Sequence, residues 1–133
     1  MSTYEEPSEK IDKIAKGIVH AMFQVHQSLG PGLLESIYEE CLASDLLSAG
    51  FKVSRQTPMP VTYKGKLMDL GFRLDLLIED KIIVEIKSTD SLAPIHHAQI
   101  LSYLKLSNLK LGFLVNFNVA KFKNGIHRII RSY

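Results

Sequence analysis

Disulfides, membrane spans and secretory leaders are all missing from this sequence. Its 133 residues include one cysteine, Cys41, so no internal disulfide can staple the fold. No run approaches the roughly 18 uninterrupted apolar residues of a transmembrane helix. Residues 1–9 are polar and acidic where a secretory leader is basic and then apolar. Together these absences point to a reducing, cytoplasmic setting with no membrane partner. Three catalytic signatures are absent as well: G-x-x-x-x-G-K-[ST], G-x-S-x-G and H-E-x-x-H. The five histidines and single cysteine show no zinc spacing, since His96 and His97 are helical neighbours and diverge. Carboxylates also run out. All fourteen lie at or before Asp90, leaving the first ninety residues at −4 and the remainder, with six cations, at +6. Such asymmetry can place a basic flank beside an acidic pocket, or leave a solvated lysine-rich surface.

What is present reads as one packed domain, 1–133, with 1–7 as a disordered tail. Hydrophobic residues make up 46% and charged ones 23%, the balance of a globular protein. Ile11, Ile14, Ile18, Met22, Val25 and Leu29 step by three or four, with Ser8 as an N-cap and Gly30-Pro31 as the stop. A second helix spans about 33–49 on Leu34, Ile37, Tyr38, Cys41, Leu42 and Leu46. Cys41 and Tyr38 belong to its apolar side, the tyrosine hydroxyl satisfied locally or by Glu35. The period then shortens to two through Phe51 and Val53, and through Val61 and Tyr63 before a Lys64-Gly65-Lys66 turn. Pro94 opens a helix to about residue 106 whose apolar residues Ile95, Ala98, Ile100, Leu101 and Leu104 surround its axis, so it should be largely buried. Residues 111–119 read as a strand, and Asn124-Gly125 as a hairpin turn into 126–131.

Residues 69–87 carry the chemistry. Leu70, Phe72, Leu74, Leu76 and Ile78 alternate with Asp69, Gly71, Arg73, Asp75 and Leu77, and a strand over 82–87 follows at once. Pairing Ile78 with Ile82 across Glu79-Asp80-Lys81 sets Leu76 against Val84 and Leu74 against Ile86, making one face aliphatic. The opposite face then sets Asp75 against Glu85 and Arg73 against Lys87. Directly opposed carboxylates have Cβ atoms roughly 5 Å apart and repel each other. A diagonal ion-pair lattice can offset that cost. A divalent cation can do so too: Asp75 and Glu85 supply hard oxygens, the Ile86 carbonyl a third, and magnesium keeps waters and binds phosphate. Lys87 points to the same side, where an ammonium can orient or deprotonate a water and stabilise charge building on a phosphate.

Asp75 followed by Glu85-Ile86-Lys87 resembles the D…(D/E)-x-K signature of the PD-(D/E)XK nuclease superfamily. The order helix, strand, strand, strand, helix, strand also resembles that superfamily's core. Gly32-Leu33-Leu34-Glu35-Ser36-Ile37-Tyr38 is similar to the motif naming the GxxExxY family within it. The likeness continues through Tyr63-Lys64-Gly65, Gly71-Phe72-Arg73-Leu74-Asp75, His97-Ala98-Gln99 and Asn116-Phe117, covering about 25–130. Leu74 stands where the superfamily label has proline, a variable position that holds no ligand.

The resemblance implies an α+β fold: a restriction-endonuclease-like αβββαβ core, its central mixed sheet flanked by helices, with an extra N-terminal helix and a C-terminal strand. It implies a magnesium- or manganese-dependent nuclease acting on nucleic acid, in the first instance DNA, and leaves room for a homodimer. Glu35 becomes a helix-borne carboxylate aimed at the metal; read without the family, it is a first-turn glutamate favoured by the helix dipole. Gln99 and Tyr103, one turn apart, look like the Q-x-x-x-Y pair of RecB-like nucleases that organises the site. His96, near them on the helical wheel, reads better as part of a polar seam. A non-catalytic nucleic-acid-binding or accessory module with the same fold is the rival reading. A surface ion-pair network is the third, and burial of Asp75 and Glu85 would speak against it.

Overall fold

Ser8 accepts a hydrogen bond from the Ile11 amide at 3.3 Å and starts helix α1, Glu9–Leu29. The computed structural model describes residues 8–132; the expected tail, 1–7, lies outside the described residues. No helix among them is long and apolar enough to cross a membrane. Ile14, Ile18, Met22 and Val25 are buried as the spacing requires. Helix α2 covers Glu35–Ser48. Tyr38 is fully buried and sets its rotation, donating to the Gly30 carbonyl at 2.5 Å and accepting from the Leu33 amide at 3.2 Å. Leu33 therefore packs against the core, while Leu34 and Ile37, expected inside, face solvent.

Strand β1 is Val53–Met59, followed by a separate hairpin, β2 (Thr62–Tyr63) and β3 (Lys66–Leu67). Lys64 and Gly65 turn it with φ of 51° and 76°, the positive pair of a tight hairpin turn. Strands β4 (Phe72–Ile78) and β5 (Ile82–Lys87) precede helix α3 (Pro94–Ser107), then β6 (Leu111–Asn116) and β7 (Ile126–Ile130). The main sheet runs β1-β4-β5-β6-β7. Only β5 and β6 are parallel, joined over α3. Helices α1 and α2 cover one face with Leu76, Ile78, Val84, Ile86 and Phe113. Helix α3 covers the other with Leu74, Leu77, Ile83 and Leu114. The expected core is therefore present, with β7 as the extra C-terminal strand.

The expected register holds for Ile78–Ile82, Leu77–Ile83 and Leu76–Val84. Beyond Leu76 the ladder stops, so the predicted backbone pairs 75/85, 74/86 and 73/87 do not form. Leu74 also belongs to the α3 core and Leu76 to the α1–α2 core, so no single aliphatic face runs the length of β4. Leu70 lies outside the strand, exposed.

Three further expectations are corrected. Helix α3 is not largely buried: only Ile100 and Leu104 are, because it meets the sheet along one side, leaving Ile95 and Leu101 in solvent. Strand β6 ends at Asn116 rather than 119. Asn124-Gly125 closes a one-turn 3-10 helix, Phe122–Asn124, and Gly125 has φ of −101°, so no two-residue hairpin turn forms. Glycine is needed there for space, since a Cβ would lie 2.0 Å from the Asn116 carbonyl oxygen.

Candidate active site

The carboxylates sit where β4 and β5 part. Asp75 Oδ2 accepts the Ile86 amide at 2.8 Å, and the Asp75 amide donates to Glu85 Oε1 at 3.3 Å. Side chains thus take over the backbone partners that a continued ladder would supply. Mutual repulsion favours this opening, and each oxygen gains an N–H in return. Glu85 is only 6% exposed. Burial first, and the Asp75 charge second, push its pKa up to about 9.

The rest of the site comes from other elements. Glu35, at the start of α2, accepts the Ser88 amide at 3.3 Å, while Ser88 Oγ donates to the Leu33 carbonyl at 2.5 Å. The loop before α2 is thereby clipped onto the residue after Lys87. Gly32, at φ 97°, bends that loop, and Tyr38 stacks at 4.5 Å on Phe117 just past β6. The G-x-x-E-x-x-Y spacing therefore has a mechanical reading: bend, reach and anchor. Glu35, Ser36, Glu39, Gln56, Asp75 and Ile86 line one cleft of about 390 Å³.

Helix α3 approaches from the other face. The Tyr103 ring stacks on Phe72 at 4.4 Å. Its phenol pKa is raised by burial, then by the charges of Glu85 and Asp75. Gln99 lies one turn earlier and is exposed. His96 caps its own helix, Nδ1 accepting the Ala93 amide at 3.1 Å, as the polar-seam reading expects. Lys87 is half-buried at the end of β5 on the side of Glu85.

No ion-pair lattice forms: among the described residues the ion pairs are Lys16–Asp12, Lys52–Asp80 and Arg55–Glu39, with none at Arg73, Asp75, Glu85 or Lys87. Two adjoining carboxylates, one deeply buried and neither neutralised by a protein cation, form a hard-oxygen donor set that suits a divalent ion. Among the described residues no three His, Cys, Asp or Glu side chains converge as a ready-made ligand cluster. Glu35 thus shares the cleft without joining the pair.

A family model described as the PD-(D/E)XK nuclease superfamily matches residues 12–129. The chain belongs to this superfamily. Phosphodiester hydrolysis at a nucleic acid is the superfamily's chemistry, generally with divalent metals. A crystal structure titled as that of SSO0001 is similar in fold, with a TM-score of 0.55 and 25% identity over 73% of this chain and 50% of that one. The chain thus spans half the length of that protein. No curated protein matches.

The sequence did not point to the neighbours of the superfamily's signature residues. Glu39 is buried on α2 and accepts from Arg55 at 3.1 Å and from Gln56 Nε2 at 2.6 Å. Gln56 holds φ at 47°, and its amide also approaches Asp75 Oδ1 at 3.4 Å. The chain Glu39–Gln56–Asp75 fixes the aspartate from the edge strand. Asn116, named above only as part of the family likeness, also has a role: it accepts from the Thr89 and Asn118 amides and donates to the Thr89 carbonyl, pinning the segment after Lys87. The signal for Glu39 was its position one turn after Glu35; the twist at Gln56 has no mark in the sequence.

Proposed function

We propose that this single domain is a magnesium-dependent, manganese-tolerant nuclease that hydrolyses phosphodiester bonds in DNA within the cytoplasm. The observation that carries the reading is the buried Glu85 carboxyl adjoining the half-buried Asp75, neither paired with a protein cation, beside Lys87 at the open end of a β hairpin. Asp75, Glu85 and the Ile86 carbonyl would hold the ion, with Glu35 assisting through water. When bound, the ion supplies Lewis acidity toward a phosphoryl oxygen. Lys87 orients the attacking water and stabilises the negative charge that develops on the phosphate. Tyr103 borders the carboxylates from α3 and offers its phenol O–H as a donor. Gln99 extends the same helix side toward the substrate strand. Glu39 and Gln56 hold Asp75 in place. The cations after Asp90 supply phosphate contacts that weaken with salt.

Cleavage of plasmid, linear, single-stranded and branched DNA in magnesium, manganese and EDTA tests this. Metal-dependent cutting lost in Lys87→Ala and Asp75→Ala supports it. A folded wild type that neither cuts nor binds manganese by calorimetry overturns it in favour of a non-catalytic module.

A further inference from the structure

Strands β2 and β3 form a two-stranded ladder outside the main sheet. The hairpin is spliced between β1 and β4 just past the Met59–Phe72 pair. Phe72 lies three residues from Asp75, about 10 Å along an extended strand, and stacks on Tyr103. The base of the hairpin is fixed against β1: a Cβ on Gly71 would lie 2.2 Å from the Met59 carbonyl oxygen, so only glycine fits. The Met68 amide also donates to the Val61 carbonyl at 2.8 Å.

The surface of the hairpin is neither core nor ordinary solvated turn. Tyr63, Leu67 and Leu70 are 59%, 69% and 83% exposed. Among them stand Lys64, Lys66 and Arg73, none of which forms an ion pair with another described residue. Lys64 Nζ lies 5.3 Å from the Tyr63 ring centroid. Three cations against one exposed carboxylate, Asp69, leave this segment net positive, and an exposed ring and leucines among them suit a ligand that joins a flat apolar group to an anion, as a nucleotide does. Two copies of this surface would bring like charges together, which disfavours self-association through it.

We propose that this hairpin is a nucleotide platform. An unpaired base of the substrate strand stacks on Tyr63, and Lys64 and Lys66 take its flanking phosphates. The adjoining site therefore prefers single-stranded nucleic acid, or strands with unpaired ends, to intact duplex. The inference rests on the nuclease reading and names the substrate class of that site.

Fluorescence anisotropy with a labelled oligothymidine, an oligouridine and a blunt duplex, in calcium, measures binding, and cleavage in magnesium is followed in parallel. The wild type is expected to bind oligothymidine at least tenfold more tightly than duplex. Tyr63→Ala should lose about tenfold on the single strand, and Tyr63→Trp should restore it. Replacing Lys64 and Lys66 by Ala should reduce the salt slope by about 1.4. An oligouridine bound as well as oligothymidine extends the platform to RNA without changing its stacking role. Unchanged strand preference in Tyr63→Ala, with metal-dependent cleavage intact, overturns the platform and leaves the nuclease reading standing. So does loss of self-association, rather than of oligonucleotide binding, in Leu67→Ser/Leu70→Ser. A wild type that neither binds an oligonucleotide nor cuts one overturns both.

Discussion

The two ends of the β4–β5 hairpin obey different rules. At the turn end, Leu76–Ile78 and Ile82–Val84 pair through backbone hydrogen bonds and bury aliphatic side chains on both faces. At the other end the ladder stops, carboxylates accept the amides, and Glu85 is buried at 6% exposure beside a half-buried Asp75. One end is built for stability, the other departs from it, and the short distance between them lets the first hold the second in place.

Substitutions can separate these roles. At the open end, Lys87→Ala should lower cleavage by roughly a thousandfold while leaving the urea midpoint close to wild type. A midpoint that fell with activity would make the open end structural. At the closed end, Ile83→Ala should cost about 3 kcal/mol in urea unfolding, because Ile83 is wholly buried under α3. Its cleavage rate per folded molecule should change far less than that of Lys87→Ala.

Acidity provides a finer cut. Glu85 titrates at about 9 when folded, against an ordinary 4.5, so the folded metal-free chain binds the extra proton between those values. Stability is therefore greatest at and below about pH 4.5 as far as this group is concerned, and declines as pH rises toward 9, by at most about 1.4 kcal/mol per unit. Urea midpoints from pH 5.5 to 8.5 should fall in the wild type and flatten in Glu85→Gln. The smallest expected effect is at the clip. Tyr38→Phe keeps the Phe117 stack but loses the Gly30 and Leu33 hydrogen bonds, for about 1 kcal/mol. Because the loop presents Glu35, weaker manganese binding by calorimetry should accompany that loss.

The same contrast explains what the sequence revealed. The closed end was legible because strict alternation and a three-residue turn permit one register. The open end was legible in composition, since Asp75, Glu85 and Lys87 cluster in any register that buries the leucines. Its geometry was not legible: the switch of Leu74 to the α3 core and the positive φ of Gln56 appear only once β1, β4 and β5 are brought together. Glu39 becomes a buried acceptor only through the tertiary approach of Arg55 and Gln56. For α3, apolar residues all around the axis promised burial on all sides, but one sheet face can cover only one side. Asn124-Gly125 carried the right residues for a hairpin, yet the close approach of Asn116 decided the conformation.

The twist at Gln56 has a consequence beyond the site. Strand β1 is an edge of the main sheet, the kind of exposed hydrogen-bonding row on which other chains can aggregate. Its regular backbone is broken by Gln56 at φ 47°, and Pro58 lacks an amide donor two residues later. A passing strand therefore meets no uninterrupted template. The same distortion that turns an amide toward Asp75 makes this border a poor nucleus for fibrils.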